Sequence, residues 1–110
     1  MLSISTDYNN GLLFIKLKGE LTKDTFNKFD KKITNKIKKL NICNLIFNVE
    51  KLNLIDYRGI YKLLYYYELI KNIKGKTYLY GNNINIENIF KKSRILNYIK
   101  EIKDINLIKG

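Results

Sequence analysis

Apolar residues along this chain change their spacing several times, and each change marks a different element. Asn10-Gly11 is a hairpin turn signal, so residues 2–7 are expected to supply a strand that pairs with residues 12–18. Within LLFIKLKGEL, Ile15 and Leu17 alternate with Lys16 and Lys18, the period of two that marks a half-buried strand. From Asp24 the period lengthens. Phe26, Phe29, Ile33, Ile37 and Leu40 step by threes and fours, which predicts an amphipathic helix capped by Thr22 or Asp24. Its outer face carries lysines at 23, 28, 31, 32, 36, 38 and 39 and reads as solvated.

NLIFNV, residues 44–49, is short, continuous and apolar, as a central strand covered on both faces requires. A second helix is expected over 57–73, with Ile60, Leu63, Leu64, Tyr67 and Ile70 on its inner face and Gly75 as its stop. KTYLYG reads as another strand, 85–92 as a third helix, and NYIKEI (97–102) as a strand or short helix. Two strands followed by strand–helix alternation predict an α/β fold: a mixed four- to five-stranded sheet with helices packed against it, its parallel connections right-handed. A length of 110 residues supports one core, so residues 1–110 are read as a single domain.

Composition narrows the function more than the fold. A hydrophobic share of 45% excludes disorder. No apolar run approaches the ~20 residues of a membrane span, and MLSISTDYNNG lacks the features of a signal peptide. With the lone Cys43, which has no internal disulfide partner, these features predict a cytoplasmic protein. The formal charge of +11 invites a nucleic-acid reading, yet only Arg58 and Arg94 among the 21 basic residues are arginine. Arginine leads in base-edge and bidentate phosphate contacts, so nucleic acid is disfavoured. The abundance of Lys, Asn, Ile and Tyr is what AT-rich coding produces, and an acidic protein partner suits the charge equally well. There is no histidine and no cysteine cluster, the acids are scattered, and no phosphate-cradling loop is present. The expectation is a binding protein with no catalytic residue, metal or cofactor.

The junction IDYRG, residues 55–59, is the place to look for binding. Asp56 stands where a helix begins, so its carboxylate can accept from a backbone N–H two or three residues on. Gly59 lies in the first helical turn, where it costs about 1 kcal/mol relative to alanine and points either to a close approach of backbone or to crowded packing of the turn. Strand, turn and helix start together form a receptor for an anion, or for phosphorylation of a neighbouring hydroxyl.

In order along the chain, these segments resemble a STAS domain, the fold of bacterial anti-sigma factor antagonists and of sulfate-transporter tails. LLFIKLKGELTKDTFNKF is similar to the family's opening strand, its Gly-Glu-Leu segment (Gly19, Glu20, Leu21) and its first helix. NLIFNVEKLNLIDYRGIYKLL is similar to the central strand and the Asp-Ser-x-Gly motif, matched at Asp56 and Gly59. IKNIKGKTYLYG, the third helix and a short tail then follow in the family's order. The resemblance implies a protein that binds an anti-sigma factor, often a serine kinase, which phosphorylates the Ser of that motif. Tyr57 occupies the phosphoserine position, and no Ser or Thr lies between Ile55 and Asn72. Phosphorylation is therefore not expected.

Tyr61 and Tyr65 stand where small residues are common, with Arg58, Lys62 and Tyr66 nearby, and tyrosine and arginine are enriched at interface hot spots. The partner-binding residues expected are Asp56, Tyr57, Arg58, Gly59, Tyr61, Lys62, Tyr65 and Tyr66. The partner would be an anti-sigma factor or kinase, or a STAS scaffold; the aromatic surface would also suit a homodimer. An alternative implied by the resemblance is an accessory STAS subunit of a membrane transport system handling lipid or an anion.

Overall fold

In the computed structural model, which describes residues 1–104, strands β1 (Leu2–Asn9) and β2 (Leu12–Leu21) form the expected hairpin. Asn10 and Gly11 have φ of 50° and 83°, so both turn residues hold the left-handed backbone that a two-residue hairpin loop requires. Then come α1 (Phe26–Lys39), β3 (Asn44–Ile55), α2 (Tyr57–Asn72), β4 (Thr77–Tyr80) and α3 (Glu87–Ser93). A 3-10 turn (Ile95–Asn97) leads into β5 (Lys100–Ile102), so NYIKEI resolves into the end of that turn and a short strand. The strand order is β1-β2-β3-β4-β5, with the hairpin antiparallel and every other pair parallel. The sequence predicted this single α/β domain with a mixed sheet; the tail beyond residue 104 lies outside the described residues.

All three helices join one core on one face of the sheet. Leu13, Ile15 and Leu17 of β2 and Leu45, Phe47 and Val49 of β3 meet Phe29 and Ile33 of α1, Ile60, Leu63 and Ile70 of α2, and Phe90 of α3. Each such side chain contributes about 1.5–3 kcal/mol on leaving water, which is why this face sets the strand register. The opposite face holds a smaller cluster of Leu12, Ile46 and Ile102, flanked by Phe14, Tyr78 and Tyr80. The centre of β3 is thus buried on both sides, as its unbroken apolar run requires.

Two strands run further than their periodicity suggests. β2 reaches Leu21 and β3 reaches Ile55, pairing as Leu21↔Ile55 after register shifts between Lys16 and Lys18 and between Gly19 and Glu20. At the second shift Gly19 has φ 104°, and a Cβ there would lie 2.0 Å from the Met1 carbonyl oxygen. Along β3 the core-facing positions slip from alternation (45, 47, 49) to steps of three (52, 55), which breaks the period of two.

Helix ends also differ from expectation. α1 starts at Phe26, and neither Thr22 nor Asp24 caps it with a side chain; instead the Thr22 carbonyl accepts from Thr25 N (3.0 Å) and Phe26 N (2.9 Å). α2 ends in a Schellman-type turn, Gly75 N to Ile70 O at 2.8 Å and Lys74 N to Lys71 O at 2.9 Å. The left-handed position is taken by Lys74 (φ 66°), not by glycine. Gly75 is required for a different reason: a Cβ there would sit 1.8 Å from the Cys43 carbonyl oxygen.

Tyr66 is the main correction on α2. The sequence placed it on the outer surface, but it is fully buried, and Leu64 and Tyr67 take intermediate positions instead. The core face of α2 is centred on Gly59, Leu63, Tyr66 and Ile70, so the ring turns toward α1 and meets Phe29 edge-on at 5.6 Å. The Tyr66 hydroxyl bonds the Asp30 carboxylate, lies 3.2 Å from the Asp30 carbonyl oxygen, and is 3.2 Å from Thr34 Oγ1. Lys62 Nζ completes the cluster, 3.2 Å from Asp30 Oδ1. Burial pushes the Tyr66 hydroxyl up, and donation to Asp30 pushes it further, only partly opposed by Thr34. Burial alone would raise the Asp30 carboxyl, but hydrogen bonds from Tyr66 and Lys62 and the charge of Lys62 outweigh it and hold it below its ordinary range.

The lysine-rich face of α1 is not wholly solvated. Lys28 Nζ donates to the Leu2 carbonyl at 2.7 Å and Lys32 Nζ to the Ile4 carbonyl at 2.8 Å. β1 is an edge strand, and these ammonium groups occupy acceptors that another strand would otherwise pair with.

Three measurable consequences follow from these contacts. Tyr66→Phe keeps the ring and deletes the hydroxyl, and should lower stability by about 1–2 kcal/mol in urea unfolding with the m-value unchanged. Because the folded Asp30 carboxyl titrates below its unfolded value, its contribution is present above the unfolded value and is lost as pH falls through the carboxylate range. Asp30→Asn should therefore flatten part of the acid limb of a stability–pH curve. Replacing Lys28 and Lys32 together with threonine should expose the β1 edge and produce concentration-dependent association in sedimentation experiments; a double variant that stays monomeric would show that these amines do not guard the edge.

Candidate functional site

Asp56 lies between β3 and α2 with extended backbone (φ −105°, ψ −177°), and its carboxylate joins two separate segments. Oδ1 accepts from Gly59 N at 2.9 Å, which caps α2 as its sequence position predicts. Oδ2 accepts from Lys23 N at 2.9 Å, which ties the β2–α1 loop to the same point. The Asp56 N–H donates to the Leu21 carbonyl at 3.3 Å, and its own carbonyl accepts from Ile60 N at 3.0 Å. Both carboxylate oxygens are therefore engaged in holding the corner together.

Gly59 is explained by distance. A Cβ at this position would lie 2.4 Å from the Leu21 carbonyl oxygen and 2.7 Å from Ile55 Cγ1. Only a residue without a side chain lets the first turn of α2 press onto the ends of β2 and β3. Gly59 is buried, so its assignment as a contact residue is corrected here together with that of Tyr66. Both shape the surface from beneath.

Of the remaining residues, Asp56 is half-buried and the others reach the surface to different degrees. Tyr57 is 49% exposed, Tyr61 63% and Tyr65 48%, with Arg58 also exposed and Lys62 half-buried. Arg58, Tyr61, Lys62 and Tyr65 line an open cleft of about 270 Å³ together with Phe26, the first residue of α1. Lys62 Nζ stands 5.0 Å from the Tyr65 ring centre and 5.5 Å from that of Phe26, a cation held between two aromatic faces. The sequence missed Phe26 and Asp30 as parts of this site. Phe26 reads as core from its helical spacing, and no local signal places it against α2. Lys23 joins through its backbone alone, which no side-chain pattern can reveal.

Cations and aromatic rings on an open surface can hold another protein. The cleft falls below the ~300–1,000 Å³ usual for enclosed small-molecule sites and is open to solvent. Among the described residues no group of three or more His, Cys, Asp or Glu is placed to hold a metal, and no helix is long and apolar enough to cross a membrane.

Known proteins share this fold. The anti-sigma factor antagonist SpoIIAA in its unphosphorylated form superposes with a TM-score of 0.81 at 20% identity, over 96% of this chain and 93% of that one. SpoIIAA of Bacillus in its phosphorylated form gives 0.73 at 20% identity, over 96% of each chain. An anti-sigma factor antagonist from Mycobacterium paratuberculosis gives 0.84 at 10% identity, over 96% of this chain and 89% of that one. At such identities the likeness establishes the fold. The STAS domain family model matches residues 3–106, nearly the whole length, and the chain therefore belongs to the STAS domain family.

Proposed function

We propose that this chain is a protein-interaction module of the anti-sigma factor antagonist kind, and that phosphorylation does not control it. Its partner on this reading is an anti-sigma factor or serine kinase, or another STAS protein. The observation that carries the reading is the exposed aromatic and cationic surface at the start of α2, built on a corner held by Asp56 and Gly59. Structurally similar antagonists include SpoIIAA, known in unphosphorylated and phosphorylated forms, which supports a partner-binding role for this fold.

Tyr57 changes how such a surface would work. Its hydroxyl projects about 4 Å beyond the position of a serine oxygen, roughly one residue spacing of ~3.8 Å, and so misses a serine kinase's catalytic geometry. A Ser at this place would take a phosphate that adds nearly two negative charges and changes the partner held. The half-exposed tyrosine ring is instead a permanent contact.

Incubation with ATP and the partner serine kinase should leave the mass of the loop peptide unchanged, and a gain of one phosphate between residues 55 and 72 would refute the lost switch. In a pull-down from the native host the chain should recover an anti-sigma factor, a kinase or a STAS protein. Tyr61→Ala should weaken that complex at least about tenfold, near 1.4 kcal/mol, with little change in thermal stability. Recovery of none of these partners would remove the interaction role.

A further inference from the structure

A second open cleft, of about 270 Å³, lies at the far end of α2. Strands β3, β4 and β5 run parallel, so the starts of β4 and β5 stand at the opposite end of the sheet from Asp56, which follows the last residue of β3. Lys71 in the last turn of α2, Lys76 just before β4 and Lys100 at the start of β5 all line this cleft. All three are exposed, none is ion-paired to a carboxylate among the described residues, and no acid is part of the lining. The Lys71 ammonium stands 5.7 Å from the Tyr67 ring centre, a contact that leaves its charge in place. Tyr67 and Tyr98 meet edge-on with centres 6.3 Å apart and also line a neighbouring cleft, which is the one that contains Glu68.

Thr77 is the second observation. It is 5% exposed and lines the cleft, yet its Oγ1 has no hydrogen-bond partner. Buried hydroxyls are normally paired, because an unmade bond in a dry place is costly. Alternation along β4 puts Thr77 on the same side of the sheet as the core residue Leu79, toward α2.

Ammonium groups, phenols and this hydroxyl are all hydrogen-bond donors, so they suit a compact ligand made of negatively charged acceptors. A phosphate group is such a ligand, and lysine holds it as a point charge without the fork that arginine supplies. The end of α2 carries partial negative charge, but its carbonyls are occupied: Ile70 O accepts from Gly75 N at 2.8 Å and Lys71 O from Lys74 N at 2.9 Å.

We infer that the cleft between the end of α2 and the starts of β4 and β5 binds a phosphate group, as inorganic phosphate or as part of a small phosphate ester. Lys71, Lys76 and Lys100 neutralise it, and Thr77 Oγ1 donates to one of its oxygens. The site is separate from the partner-binding corner and does not rest on that reading.

The test follows amide NMR shifts of the whole protein as inorganic phosphate replaces chloride at constant ionic strength. The shifts should saturate and centre on residues 76–78 and 98–100. Lys71→Gln with Lys100→Gln should weaken phosphate at least about tenfold. Lys31→Gln with Lys39→Gln, which removes the same charge from exposed positions on α1, should change it less than about twofold. Thr77→Val should weaken phosphate at least about threefold and leave Tm unchanged or raised, since the hydroxyl has no partner to lose. Phenyl phosphate identifies the source: tighter binding with new shifts at Tyr67 and Tyr98 indicates an ester, and binding no tighter than phosphate indicates the free ion. Unsaturated shifts, equal weakening by both double variants, or a Thr77→Val chain that binds phosphate unchanged would overturn the inference. So would a fall in Tm on Thr77→Val, which would make the hydroxyl part of the fold.

Discussion

The Asp56 carboxylate accepts one N–H from Gly59 and another from Lys23, 33 residues earlier in the chain, and the geometry of the functional corner depends on that double acceptance. A single group thus satisfies a free donor at the start of α2 and fixes the loop that leads into α1. The sheet extension beneath it is equally necessary. Only because β2 continues to Leu21 beside Ile55 does the Leu21 carbonyl meet the Asp56 N–H, and only a glycine at 59 lets the helix come so close. Without any one of these three contacts, Tyr57 and Arg58 would project from an unfixed turn.

α2 serves three environments at once. Its inner face is buried against the sheet through Ile60, Leu63 and Ile70. One flank is latched to α1 by Tyr66, Lys62, Asp30 and Thr34. Burial and donation to Asp30 favour the neutral phenol there, while hydrogen bonds from Tyr66 and Lys62 and the Lys62 charge keep the carboxylate ionised against burial. The third face carries aromatic and aliphatic side chains into water. Lys62 belongs to two of these environments, since it pairs with Asp30 and lies between the Phe26 and Tyr65 rings. The latch between helices and the outer surface are therefore mechanically joined through one side chain.

A strongly basic composition has more than one use here. Lys28 and Lys32 occupy carbonyls on the free edge of β1, which discourages strand-to-strand pairing. Arg58 and Lys62 instead give the α2 surface its sign. Treating +11 as a single nucleic-acid signal would merge these roles, which differ in where the charge sits and in what it meets.

Much of this was legible in the residues alone. Periodicity gave the order and type of the elements, because a period of two or of three to four follows from which side of a strand or helix is dry. Asn10-Gly11 specified the hairpin, Asp56 specified the cap, and the ordered segments specified the family, since turn and cap geometry are local and need few neighbours. What periodicity could not supply were the extensions of β2 and β3 past their register shifts, where the alternation breaks although pairing continues. Nor could it separate Tyr66 from its neighbours Tyr65 and Tyr67. Three consecutive tyrosines look alike in sequence, and only the side on which α1 packs decided that the middle one is buried while Tyr65 remains in solvent.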